Sequence, residues 1–163
     1  MPTSQDSMKR SLHSFIKTKL KNLVEKDKRL IQPKMTEYTL QAIIWDHISI
    51  YAKNEWTLSI EAFIPGTNLK ADIVIYKLKQ DNTLDPRYGA IAIEVKPNGQ
   101  ITGIQKDIKK LIKYTKLQRT PVNFGVMIFM SKQQQAEDIV KKYLRKYNEL
   151  RKIHVIRIIP PRR

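Results

Sequence analysis

The sequence predicts an α/β fold in which a mixed central sheet is flanked by helices, with elements in the order ααβββαβαβ. Three observations predict it. Segments with apolar residues at three- and four-residue spacing alternate with short apolar runs of strand length. The run Val122–Met130 is almost continuously apolar, the pattern of a strand buried on both faces and commonly parallel to its neighbour. A helical segment separates it from the preceding strand-like run, as a parallel crossover requires.

In chain order, residues 7–27 read as an amphipathic helix, with Leu12, Ile16, Leu20, Leu23 and Val24 at helical spacing and Lys17, Lys19, Lys21 and Lys26 opposite. That basic face reads either as a surface laid along a phosphate backbone or as a solvated helix face. After a break at residues 32–34, Thr36 is a candidate N-cap for a second helix running to about Ala52. Glu37 falls in its first turn, where the helix dipole favours negative charge. Glu37, Gln41, Ile44 and Ile48 share one face of that helix.

Residues 56–64 alternate, placing Trp56, Leu58, Ile60, Ala62 and Ile64 on one face and Thr57, Ser59, Glu61 and Phe63 on the other, as in a half-buried strand. The Pro-Gly-Thr-Asn run that follows is a turn by composition, and Asp72 opens a second strand over residues 71–76. Residues 80–86 are polar and turn-rich, so the second strand pairs with a third, residues 90–96, in a long hairpin. A helix is expected over residues 101–118, with Ile104, Ile108, Leu111 and Ile112 as its apolar stripe. A basic amphipathic helix over 133–152 and a final strand over 153–159 follow the buried strand. No repeat or low-complexity segment interrupts the chain.

The chemistry-bearing stretch is Ile93-Glu94-Val95-Lys96. Residues two apart on a strand project to the same face, so Ala92, Glu94 and Lys96 lie on one side and Ile91, Ile93 and Val95 on the other. An ion pair on a solvated sheet face is the plain reading. The hairpin, however, brings Asp72 close to Glu94. Two carboxylates and an ammonium at adjoining strand ends suit a hard divalent cation and phosphodiester hydrolysis without a protein nucleophile.

With Ala71-Asp72 followed by Ile93-Glu94-Val95-Lys96 in an αβββαβ core, the chain resembles the PD-(D/E)xK superfamily of restriction-endonuclease-like nucleases. The resemblance covers roughly residues 36 to 130, and Ala71 stands where the family frequently has proline. It implies a restriction-endonuclease-like core with Asp72 and Glu94 as ligands of Mg²⁺, for which Mn²⁺ would substitute, and the carbonyl of Val95 as a further oxygen. Lys96 would be the catalytic lysine, and Glu37 a further catalytic acid from the preceding helix, with Gln41 one turn later as the weaker candidate. Gln105, Lys106, Lys109, Lys110 and Lys113, on the helix after the catalytic strand, would contact nucleic-acid phosphates; Gln105 and Asp107 read equally as residues solvating a helix start. In this division, residues 1–35 are a basic N-terminal helical extension, 36–130 the catalytic core and 131–163 a C-terminal helix and strand of one domain. Small nucleases of this fold commonly act on two strands as dimers, so a homodimer is also implied.

Charge bears on the partner. Lysine and arginine number 31 against 15 acidic residues, a formal net charge of +16, which favours a polyanion and, within that class, DNA. The absence of cysteine removes a thiol nucleophile and a Cys-based zinc site. Neither a membrane-spanning run nor a signal-peptide pattern is seen, so the expectation is a cytoplasmic protein without membrane contact. The rival reading is a catalytically silent nucleic-acid-binding or assembly protein of the same fold.

Overall fold

The computed structural model describes residues 4–32, 34–116, 122–149 and 152–162. Helices α1 (Ser4–Thr18), α2 (Leu20–Glu25) and α3 (Glu37–Ala52) precede strands β1 (Thr57–Phe63), β2 (Lys70–Tyr76) and β3 (Ala90–Lys96). Helix α4 (Ile101–Lys116), strand β4 (Val122–Met130), helix α5 (Gln134–Lys146) and strand β5 (Ile153–Ile158) complete the chain. The expected extensions of α4 to residue 118 and of α5 through residues 150–151 lie outside the described residues. No helix among the described residues is long and apolar enough to cross a membrane.

The five strands form one mixed sheet in the order β1-β2-β3-β4-β5. The first two pairings are antiparallel and the last two parallel; the long hairpin predicts the β2–β3 pairing and the α4 crossover the β3–β4 pairing. Each sheet face carries its own core. On one face, Leu12, Ile16, Leu20, Val24, Leu40, Ile44 and Ile48 of α1–α3 pack with Ile73, Ile75, Ile91, Ile93 and Val95. On the other, Ile104, Ile108, Leu111, Val140 and Leu144 of α4 and α5 pack with Val74, Ala90, Ala92, Met127 and Phe129. Burying apolar area on both faces explains why β3 and β4 read as near-continuous hydrophobic runs.

Two expectations are corrected. The first predicted helix is two, broken at Lys19, so three helices precede β1 instead of two. The break is shallow: Lys19 N–H still donates to Phe15 O at 2.9 Å, and the apolar stripe passes across it, although Leu23 stays 39% exposed at its margin. A 3-10 turn over Lys28–Ile31 follows, where the Asp27 carboxylate accepts from Arg29 N. Helix α5, in turn, ends at Lys146, short of its predicted end. Asn148 adopts a left-handed backbone (φ +57°), and Glu149 N–H donates to Leu144 O at 3.1 Å, a closure that caps the last turn.

The alternation of β1 also fails at one residue. Glu61 has φ +50° and no partner in a ladder that otherwise runs from Thr57↔Tyr76 to Phe63↔Lys70. As a result Leu58 packs on the α1–α3 side and Ala62 on the α4–α5 side, while Ile60, expected inward, is 40% exposed. The change of face carries into β2, where Ala71 joins the α4–α5 core and Ile73 the other. Asp72 sits at that crossing.

Candidate metal centre

Asp72 enters the site because β2 and β3 stop pairing at Ile73↔Ile93. One step beyond that pair, Asp72 Oδ2 accepts a hydrogen bond from Val95 N–H at 2.7 Å, which pins the carboxylate to the Glu94–Lys96 segment. Val95 is thus engaged through its amide. Glu94 lies on the α4 side of β3 and is 1% exposed, and Lys96, on the same side, is half-buried. Helix α3 is capped by Thr36, whose hydroxyl accepts from Thr39 N–H at 3.1 Å, and this start delivers Glu37 to Lys96, with Nζ to Oε2 at 3.3 Å. The four catalytic candidates Glu37, Asp72, Glu94 and Lys96 therefore belong to one cluster.

Four further residues, Asp107, Lys110, Glu61 and Gln41, shape the cluster. Asp107 of α4, read from the sequence as equally a solvating group, is buried, with its oxygens 3.1 Å from Lys96 Nζ and 3.1 Å from Lys110 Nζ. Lys110 reaches on to Glu94 Oε2 at 3.6 Å. Glu61, assigned by alternation to a plain strand face, is turned by its left-handed backbone toward Glu37 and Asp72. The carboxylate oxygens of these three lie within 4.8 Å of one another. A non-glycine residue held left-handed costs about 1–2 kcal/mol, so Glu61 is kept there by its surroundings. Gln41, the weaker candidate, is fully buried and donates through Nε2 to Glu61 Oε1 at 3.2 Å. Helical spacing from Glu37 points to Gln41, but no one-dimensional pattern announces the kink at Glu61.

The remaining candidates fall on the outer side of α4. Lys106, Lys109 and Lys113 are exposed and Gln105 is half-buried, so of the five only Lys110 is tied into the carboxylate cluster.

The electrostatics follow from burial. Glu94 is pushed up to about 9, first by desolvation and then by the Asp72 charge beside it. Asp72 is also raised, chiefly by burial, against which the Val95 N–H hydrogen bond acts. Burial opposes the charge on Lys96, yet the Asp107 and Glu37 carboxylates outweigh it and raise its pKa. Glu61 is lowered because Lys70, 3.1 Å away, and Gln41 outweigh its desolvation. The pocket thus holds more buried carboxylate than its lysines offset, and Glu94 keeps a proton at neutral pH.

No family model, curated protein or solved structure matches the chain. What the cluster can do is read from its own donors. They are carboxylate and amide oxygens without histidine or cysteine, a set that suits hard divalent cations. Three sequestered oxygens of the cluster, Glu94 Oε1, Gln41 Oε1 and Asp107 Oδ2, have no hydrogen-bond partner among the described residues, and of these Asp107 Oδ2 is ion-paired with Lys96. Orphaned acceptors of that kind are what a cation or its bound water satisfies, so the residues fit a metal ion.

Proposed function

We propose that the chain is a divalent-cation-dependent endonuclease of PD-(D/E)xK type, hydrolysing phosphodiester bonds in DNA on a restriction-endonuclease-like core. The observation that carries the reading is the hydrogen bond from Val95 N–H to Asp72, which sets two carboxylates and Lys96 at adjoining strand ends. Asp72 and Glu94, with the Val95 carbonyl, would hold Mg²⁺ or Mn²⁺. Such an ion supplies Lewis-acid polarisation of a phosphoryl oxygen and a bound water of lowered pKa.

The chain's own groups do the rest. Glu94 would release its proton to solvent on serving as a ligand. Lys96, anchored by Asp107 and Glu37, presents a fixed ammonium that orients the attacking water and offsets charge building on the phosphate. Glu37 is a third acid beside it. Gln105, Lys106, Lys109 and Lys113 contact flanking phosphates, while Lys110 balances Glu94.

A second reading, a DNA-binding or assembly protein without chemistry, is favoured by one observation: Lys96 and Lys110 are already engaged by Glu37, Asp107 and Glu94. One experiment separates the two. Linear, branched and single-stranded DNAs are incubated with the protein in Mg²⁺ or Mn²⁺, with Glu94→Ala alongside. The nuclease reading expects metal-dependent cleavage that Glu94→Ala abolishes, and the second expects retention of DNA without cleavage by either protein.

A further inference from the structure

Asp72 is shared by two sets of carboxylates, with Glu94 toward β3 and with Glu37 and Glu61 toward α3 and β1. We propose that Glu37, Glu61 and Asp72 form a divalent-cation site in which Glu61 is a ligand contributed by β1 and Gln41 is the residue that positions it. The proposal rests on the nuclease reading for its chemistry, but its binding test does not depend on cleavage.

The carboxylates alone would be an acidic cluster and nothing more. Their oxygens lie within 4.8 Å of one another, close enough for one ion to contact all three. The independent sign of a ligand is Gln41. Its side chain is fully buried, its amide N–H holds Glu61 Oε1 at 3.2 Å, and its Oε1, at the same amide head, has no partner among the described residues. A buried amide oxygen without a donor is costly to leave. A hydrated divalent cation held by Glu37, Glu61 and Asp72 would bring a hydrogen-bond donor to this buried oxygen.

Charge agrees with the assignment. Lys70 stands 3.1 Å from Glu61 Oε2 and Lys96 3.3 Å from Glu37 Oε2, so lysine ammoniums now occupy two of the three carboxylates that an ion would bridge. The backbone is consistent too. Left-handed φ at a strand residue suits glycine, and a glutamate there directs a carboxylate where regular pairing would not.

The test is a Mn²⁺ titration of the full chain without DNA, by calorimetry or by the paramagnetic resonance of free Mn²⁺. Glu61→Gln is expected to weaken Mn²⁺ binding about tenfold or more, and Gln41→Leu to weaken it by a smaller factor. Lys70→Met, which removes a competing cation on an exposed side chain, is expected to tighten it, a gain that misfolding cannot produce. Glu61→Gly, whose backbone suits the left-handed position, should keep the fold and lose the ion. A Glu61→Gln protein that binds Mn²⁺ as tightly as the wild type, with the loss appearing in Glu94→Gln instead, overturns the proposal. So does a Lys70→Met protein that binds less tightly. Wild-type protein that binds Mn²⁺ in the expected pattern but cleaves no DNA removes the nuclease reading and leaves the site standing.

Discussion

Glu94 holds a conflict at the scale of single residues, being a carboxyl 1% exposed and next to the buried carboxylate of Asp72. Its ordinary value of 4.5 is pushed up to about 9, so between those values the folded chain keeps a proton that the unfolded chain has released. Where the native state binds more protons, stability falls as pH rises. Metal-free protein should therefore lose stability from this group between pH 5 and pH 9, and Glu94→Gln should flatten that loss; urea unfolding in chelator across the range measures both. Ion binding should conversely release a proton and strengthen with pH, which calorimetry in buffers of different ionisation enthalpy detects. Lys96 has a different role. Its ammonium is fixed by Asp107 and Glu37, so Lys96→Met should lower cleavage by about a hundredfold or more while leaving DNA retention near wild type.

Among the elements, α3 and the N-terminal helices carry consequences beyond packing. Thr36 caps the turn that holds Glu37, so Thr36→Ala should cost about 1 kcal/mol in denaturant unfolding. Leu20 of α2 is fully buried in the core that includes β2, β3 and β4, and Leu20→Ala should cost about 2–5 kcal/mol. The N-terminal helices are thus packed against the sheet. Elements whose signal is periodic were legible in the sequence: β3 and β4 fall on the predicted residues, and Glu94 and Lys96 project to one side as the strand period requires. What escaped depends on single backbone torsions or on tertiary partners. Lys19 interrupts a stripe that stays continuous on its buried side, so periodicity cannot register the break. Glu61 leaves the β region at one residue, which inverts the inward face of β1 without changing any residue type. Asp107 reads as a helix-start solvating group until the fold places Lys96 and Lys110 against it.

Across the whole molecule, the α/β sandwich sets one carboxylate cluster within a chain of net charge +16. On the proposed nuclease reading, the exposed Lys106, Lys109 and Lys113 of α4 would offer a cationic surface to phosphate beside that cluster. DNA affinity should therefore fall steeply with salt, log K dropping by about 0.9 per phosphate neutralised for each tenfold rise, and a flat response in a filter-binding series would contradict the polyanion assignment. In the function proposed, Asp72, Glu94 and Lys96 hydrolyse DNA together with a divalent ion. Single-turnover cleavage of labelled DNA in Mg²⁺, comparing wild type with Asp72→Asn and Lys96→Met at matched DNA occupancy, tests it most directly. Cutting by the wild type alone is expected, whereas equal cutting by the variants, or none by the wild type, would contradict a joint role of these residues in hydrolysis.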